Sequence, residues 1–256
     1  QFLFPALGAG PFSEPGMRPQ RIGVVVALAA EARILFSGKL RYQTVMDIQP
    51  QLCMVVSGMG PVRADQAAEQ LLQAGVDGLL SWGTAGGLNP VCRAGDLLVP
   101  EHIFWAGRGW PADSYWRSAL LSQLSGQALA GGLCSVSEAC ASVAAKAQLR
   151  ADYPEAQAVD MESGAVAQRA AQAGIPFLAI RSVVDPAHQS LPATATHSVD
   201  CYGRPQAMPL LRGLLRHPGD LPPLMGLGRQ MQAAVNTLRL VQPRLLQSNL
   251  WETNSV

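Results

Sequence analysis

The sequence predicts an α/β fold, a mixed and largely parallel sheet flanked by helices. Three observations carry this. Short apolar runs rich in β-branched residues, such as IGVVV at 22–26 and FLAIRSVV at 177–184, alternate with longer segments of helical period. Glycine and proline fall at the ends of these segments, as at Pro61, Gly75 and Gly174. The 256 residues are 48% hydrophobic and only 14% charged, which suffices for one large core or two small ones.

In chain order, 21–29 reads as a buried strand, with a helix starting near Glu31. Residues 41–48 and 51–57 read as two more strands. SGMGP at 57–61 then places Pro61 in the first turn of a helix that reaches about Gln73. A short apolar strand follows at 78–82, a glycine-rich loop at 83–90 (GTAGGLNP) and a strand at 96–103. Residues 111–130 read as helix, 132–136 as strand and 142–150 as helix. The last alternation is strand 157–161, helix 162–173 and strand 176–184. Strands alternating with helices in this way argue for parallel pairing.

The ends of the chain differ from this middle. Residues 1–20 are rich in glycine and proline and read as a loosely ordered extension, with Met17 a candidate natural start. They lack the basic start and long apolar stretch of a signal peptide. Residues 21–211 read as the main domain and 212–256 as a helical extension broken by prolines, with a frayed end at SNLWETNSV. Between 212 and 247 there are five arginines and one aspartate. Leu224, Met225, Leu227, Met231, Val235, Leu238 and Val241 form an apolar side there, with Arg229, Arg239 and Arg244 around it. Such a helix packs on its own domain, on a neighbouring subunit or on an anionic membrane.

Composition narrows the function. A formal net charge of +1 gives no field that favours nucleic acid. The five cysteines are scattered without a CxxC, and the four histidines form no HExxH, so no metal site is expected and a cytoplasmic setting fits. GMGPVR at 58–63 fails the dinucleotide fingerprint because Arg63 stands at the third glycine, and neither a P-loop nor a GxSxG elbow occurs.

The polar oddities fall in one place. Glu31, Thr84 with Gly86, Glu162 and Asp185 each lie just past the carboxyl end of a predicted strand. That edge of an open α/β sheet is where ligands bind. Each has a plainer reading. Glu31 could face solvent, and Glu162 could complement a helix dipole with Asp160 as cap. Asp185 could form a turn before Pro186, and GTAGGL could be an ordinary loop. Acids clustered without a metal suggest acid–base chemistry.

GTAGGL at 83–88, VDMESGAVA at 159–167, RSVVD at 181–185 and the opening IGVVVALAAEA together resemble the purine and uridine phosphorylase family, which includes the methylthioadenosine/adenosylhomocysteine nucleosidases. The resemblance spans roughly 21–190. DPAHQSLPATA at 185–195, Gly203–Arg204–Pro205 and LLRHPGDLPPLMGLGRQ look like the hopanoid-associated phosphorylase group, thought to remove adenine from adenosylhopane.

The resemblance implies a single-domain nucleoside phosphorylase-like fold and cleavage of the N-ribosyl bond of a purine nucleoside, a 5′-substituted adenosine above all. It implies three catalytic acids. Glu162 would hold the ribose hydroxyls and favour a cationic sugar, with Met161 on the sugar face. Asp185 would donate a proton to purine N7, a task that burial favours by raising its pKa. Donors at Thr84, Ala85 and Gly86 would position the nucleophile. Cys140 or Ala141 stands where the nucleosidases place an aromatic against the purine. No cofactor is implied, with inorganic phosphate a candidate co-substrate, and a homo-oligomer is implied.

The residues leave the nucleophile open. Water oriented by Glu31 is one reading. The other is phosphate, but Ser81 occupies the place where several phosphorylases carry an arginine, and Arg33 and Arg63 are the remaining local cations. A non-catalytic nucleoside-binding protein is the alternative function.

Overall fold

Five consecutive apolar residues, IGVVV, form β1 (Ile22–Val26), and all five are buried. A strand apolar at every position is one covered on both faces. Val24 and Val26 point into one core and Val25 into another, as the two-residue period of a strand requires. In this computed structural model, which describes residues 21–124, 128–192, 194–195 and 198–251, β1 pairs in parallel with β3 (Leu52–Val56) and β4 (Gly78–Gly87). The expected extension at 1–20 lies outside the described residues.

One flank of the sheet ends in β2 (Met46–Gln49), antiparallel to β3. On the other, β11 (Phe177–Val183) runs parallel to β4 and then meets the short β5 (Leu97–Leu98), which pairs with β8 (Ala128–Leu129). The far end of β4 turns away to pair antiparallel with β10 (Ala156–Asp160). From β10 the sheet continues through β9 (Gly132–Ser135), β6 (His102–Trp105) and β7 (Arg108–Pro111). The sheet is mixed and mostly parallel, as the alternation predicts.

Helices α1 (Ala29–Leu35), α3 (Ser114–Gln123) and α7 (Leu221–Leu245) cover one face, through residues such as Leu35, Trp116 and Leu238. Helices α2 (Pro61–Gln73) and α5 (Ser163–Ala173) cover the other with small residues, among them Ala64, Ala68 and Ala170. Helix α4 (Val143–Asp152) lies beyond β10, and α6 (Ala207–Arg216) precedes α7.

Four expectations are corrected. The segment 83–87 is not a loop: β4 runs through it, and its glycines mark close approach rather than a turn. The single strand expected at 96–103 is β5 and β6, separated around Pro100, which has no N–H for a ladder. The helix expected from 111 begins at Ser114, because 108–111 returns along β6 through a turn with positive φ at Ala106 and Gly107. Leu250 and Trp251 are buried rather than frayed, with the Trp251 ring 4.7 Å from that of Trp116.

The apolar side of α7 turns inward where it is richest. Val235, Leu238 and Val241 are buried, while Met225 near its start is 61% exposed. Among the described residues, no helix is long and apolar enough to cross a membrane.

Candidate active site

Three strand ends build one site. After β1, the chain enters α1 with Glu31 in its first turn. This carboxylate faces the sheet, only 2% exposed, instead of solvent. Its Oε1 accepts from the Thr84 N–H (2.8 Å) and the Thr84 hydroxyl (2.7 Å), and its Oε2 from the Leu28 N–H (3.0 Å). A Cβ at Gly83 would lie 2.7 Å from Glu31 Oε2, so glycine is what lets β4 pass this close. Burial raises the Glu31 pKa, and the hydrogen bond from Thr84 opposes the rise. Both Thr84 donors are committed to Glu31.

After β10 come Asp160, Met161 and Glu162. Asp160 Oδ2 accepts from the Ser163 N–H (3.0 Å), which tethers the start of α5, and from Arg181 Nε (2.9 Å). Arg181 lies on β11 and also donates to Ser81 Oγ at 2.7 Å. This buried pair forms the floor of the site. Glu162 does not cap α5: its Oε1 accepts from the Gly60 N–H at 2.8 Å. Gly60 has φ +100°, a conformation other residues rarely adopt. Burial, reinforced by the Asp160 charge, raises the Glu162 pKa to about 7, against the pull of Arg181.

After β11 comes Asp185, 6% exposed. Its backbone continues the pairing with β4, since its carbonyl accepts from the Gly87 N–H at 2.8 Å. Its Oδ2 is bonded to the ammonium of Lys146, a residue of α4 that is 1% exposed. Burial raises the Asp185 pKa and Lys146 opposes the rise.

These three ends enclose a cleft of about 160 Å³. All eight residues singled out in the sequence line it: Glu31, Thr84, Ala85, Gly86, Cys140, Met161, Glu162 and Asp185. Ala141 is not in the lining. Leu28 and Met59 add apolar surface near the acids, and Val136, Ala139 and Leu191 flank Cys140. Burial pushes the Cys140 thiol up, which suits a packing residue better than a nucleophile. Among the described residues, no cluster of three or more His, Cys, Asp or Glu could hold a metal ion.

Sequence reasoning missed two residues here. Arg181 stands inside RSVVD, where the resemblance implies a role only for Asp185. Lys146 reads as an ordinary residue of an alanine-rich helix, although Leu149 and Tyr153, three and seven positions on, are both packed inward against a core cluster. Arg33, considered for an anion, is exposed and donates to the Gly38 carbonyl.

Sequence and fold both have known relatives. The chain is 26% identical over 203 residues to the 5′-methylthioadenosine/S-adenosylhomocysteine nucleosidase of Haemophilus influenzae (strain 86-028NP), covering 64% of this chain and 85% of the relative. It is 29% identical over 177 residues to the enzyme of the same name from Geobacillus thermodenitrificans (strain NG80-2), covering 57% and 75%. In fold it resembles the nucleosidase of Colwellia psychrerythraea solved with adenine, with a TM-score of 0.63 and 19% identity over 93% of this chain and 98% of that one. Futalosine hydrolase of Helicobacter pylori matches with a TM-score of 0.61 and 17% identity, over 88% and 98%. The sequence model of the phosphorylase superfamily matches residues 19–216, and the chain belongs to that superfamily.

Proposed function

We propose that the protein hydrolyses the N-ribosyl bond of a 5′-substituted adenosine and releases adenine. The observation that carries this is the charge of the cleft. Four acidic side chains line it, Glu31, Asp160, Glu162 and the proton donor Asp185, with no cationic side chain among the described lining residues. Such a lining attracts a developing oxocarbenium ion and repels phosphate. Arg181, the buried cation beneath it, is committed to Asp160 and Ser81.

The roles follow from position. Glu31, held by three donors, orients water for attack at the sugar carbon and takes the proton that the water loses as the C–O bond forms. Glu162 favours the cationic sugar, and Met161 packs on it. Asp185 gives a proton to the leaving base, which takes the electron pair of the breaking bond. Cys140, Ala139 and Val136 offer a small apolar wall to the purine. The nucleosidase relatives support this bond class. A reducing cytoplasm suits the five free thiols.

Adenine release from adenosine, methylthioadenosine and a detergent-dispersed lipid adenosine such as adenosylhopane tests the proposal. The wild type is expected to release adenine, and Glu31→Gln to lose most of that rate. Binding of all three without release would favour the nucleoside-binding alternative.

We also propose a homo-oligomer, and contact with an anionic bilayer. That contact is expected of the basic helix at 224–241, but Val235, Leu238 and Val241 there are buried; Met208 (58%), Leu211 (52%) and Leu215 (75%), exposed on α6 beside Arg212 and Arg216, support it instead. Co-sedimentation with anionic liposomes is expected to fall in Leu211→Glu, and equal pelleting would remove the idea.

A further inference from the structure

We propose that Lys146 is a positioning residue for Asp185. Its ammonium receives the charge left on that carboxyl after proton donation, and it clamps the loop that carries it. This rests on the proton-donor role assigned to Asp185 above.

The first support is geometric. Lys146 does not line the cleft, so it reaches the reaction only through Asp185. Besides Asp185 Oδ2, its Nζ donates to the carbonyls of Pro186 (2.9 Å) and Gln189 (3.0 Å) and lies 3.4 Å from that of Asp185. An ammonium has three hydrogens, and three close acceptors match them. Burying such a group costs several kcal/mol unless it is fully paired. Loop stability alone would be met by a neutral polar side chain at lower cost.

The second support is the local charge. Cys140 approaches Lys146 and Asp185 from the 136–142 segment. Glu31, Asp160 and Glu162 line the same cleft. Where ionised they favour a protonated Asp185, as burial does. Lys146 is the cation that opposes them. The result is a carboxyl that can hold a proton in an apolar wall and still give it up. In the step itself the Asp185 O–H bond breaks and an N–H bond forms on the leaving base. The glycosidic electron pair passes to that base, and the new carboxylate faces Nζ. Solvent returns the proton after adenine departs.

The third support is the clamp. The Val143 N–H donates to Ser190 Oγ (3.2 Å), the Leu191 N–H to the Ala141 carbonyl (2.8 Å), and Gln189 pairs with Gln230 of α7. Residues 185–191 are thereby stitched to the start of α4, with Asp185 at one end and Leu191, another cleft residue, at the other.

The test uses the full chain with 13C at aspartate Cγ, with Asp185→Asn assigning the signal. Lys146→Met and Lys146→Gln are compared with wild type, and Gln keeps a donor for the loop carbonyls if Met fails to fold. The Asp185 titration is expected to move up by at least one pH unit in either variant, and the basic limb of kcat/KM to move with it. An unchanged titration in folded Lys146→Gln overturns the proposal. The titration needs no turnover, so its failure is distinct from a failure of adenine release.

Discussion

Among the described residues two cations, Arg181 and Lys146, are buried, and each is paired with an aspartate. Beneath the cleft, Arg181 meets Asp160, and their side chains are 2% and 1% exposed. In the wall, Lys146 meets Asp185, at 1% and 9%. Asp160 also tethers the start of α5, so its carboxylate is structural on two counts. Asp185 takes no part in a helix end and presents itself to the cleft. Both carboxylates border the cleft; on the proposed mechanism the pair that tethers a helix start is structural and the pair whose carboxyl gives up a proton is chemical.

The sharpest test of that contrast is Asp185→Asn. It is expected to lower kcat by about 10²- to 10⁴-fold, the usual worth of a general acid, while binding of an unreactive adenosine analogue changes little. A near-normal rate would take Asp185 out of the mechanism. Next is Arg181→Met, which strands the Asp160 carboxylate in the core. Urea unfolding is expected to show a loss of about 3–5 kcal/mol. Unchanged stability would erase the distinction between floor and wall.

Smaller effects fall on Glu162, which borders the same cleft. Its folded pKa of about 7 stands above the ordinary 4.5, so the folded protein holds a proton that the unfolded chain releases. Stability is expected to fall as pH rises from about 4.5 to 7 and to level off above. Glu162→Gln keeps an acceptor for Gly60 and is expected to gain up to about 3 kcal/mol at pH 8, with no gain at pH 4. The same carboxylate must be ionised to favour a cationic sugar. The wild-type rate is therefore expected to drop about tenfold per pH unit below 7. A rate that stays flat from pH 7 to 5 would remove that role.

Much of this was legible in the sequence because it follows from local rules. β-branched runs gave the buried strands, and Pro61 and Gly75 bracketed α2 within a residue or two. The acids stood out because carboxylates at the ends of apolar strands need a reason to be there. What was not legible depends on contacts far along the chain. The glycines at 83, 86 and 87 read as a loop. Only the positions of Glu31 and Asp185, brought up from other strands, show them to be places of close approach. Lys146 reads as a surface residue until the 185–189 loop is laid against it, 39 to 43 residues away. The prolines around 218–223 marked a break, but Pro222 and Pro223 sit in the first turn of α7, where no intrahelical N–H is required.

Hydrolysis by a Glu31-oriented water is tested most directly by following the sugar product with and without inorganic phosphate. The expected result is equal adenine release in phosphate-free buffer, with free sugar as the other product. Release that requires phosphate and yields a sugar 1-phosphate would contradict it.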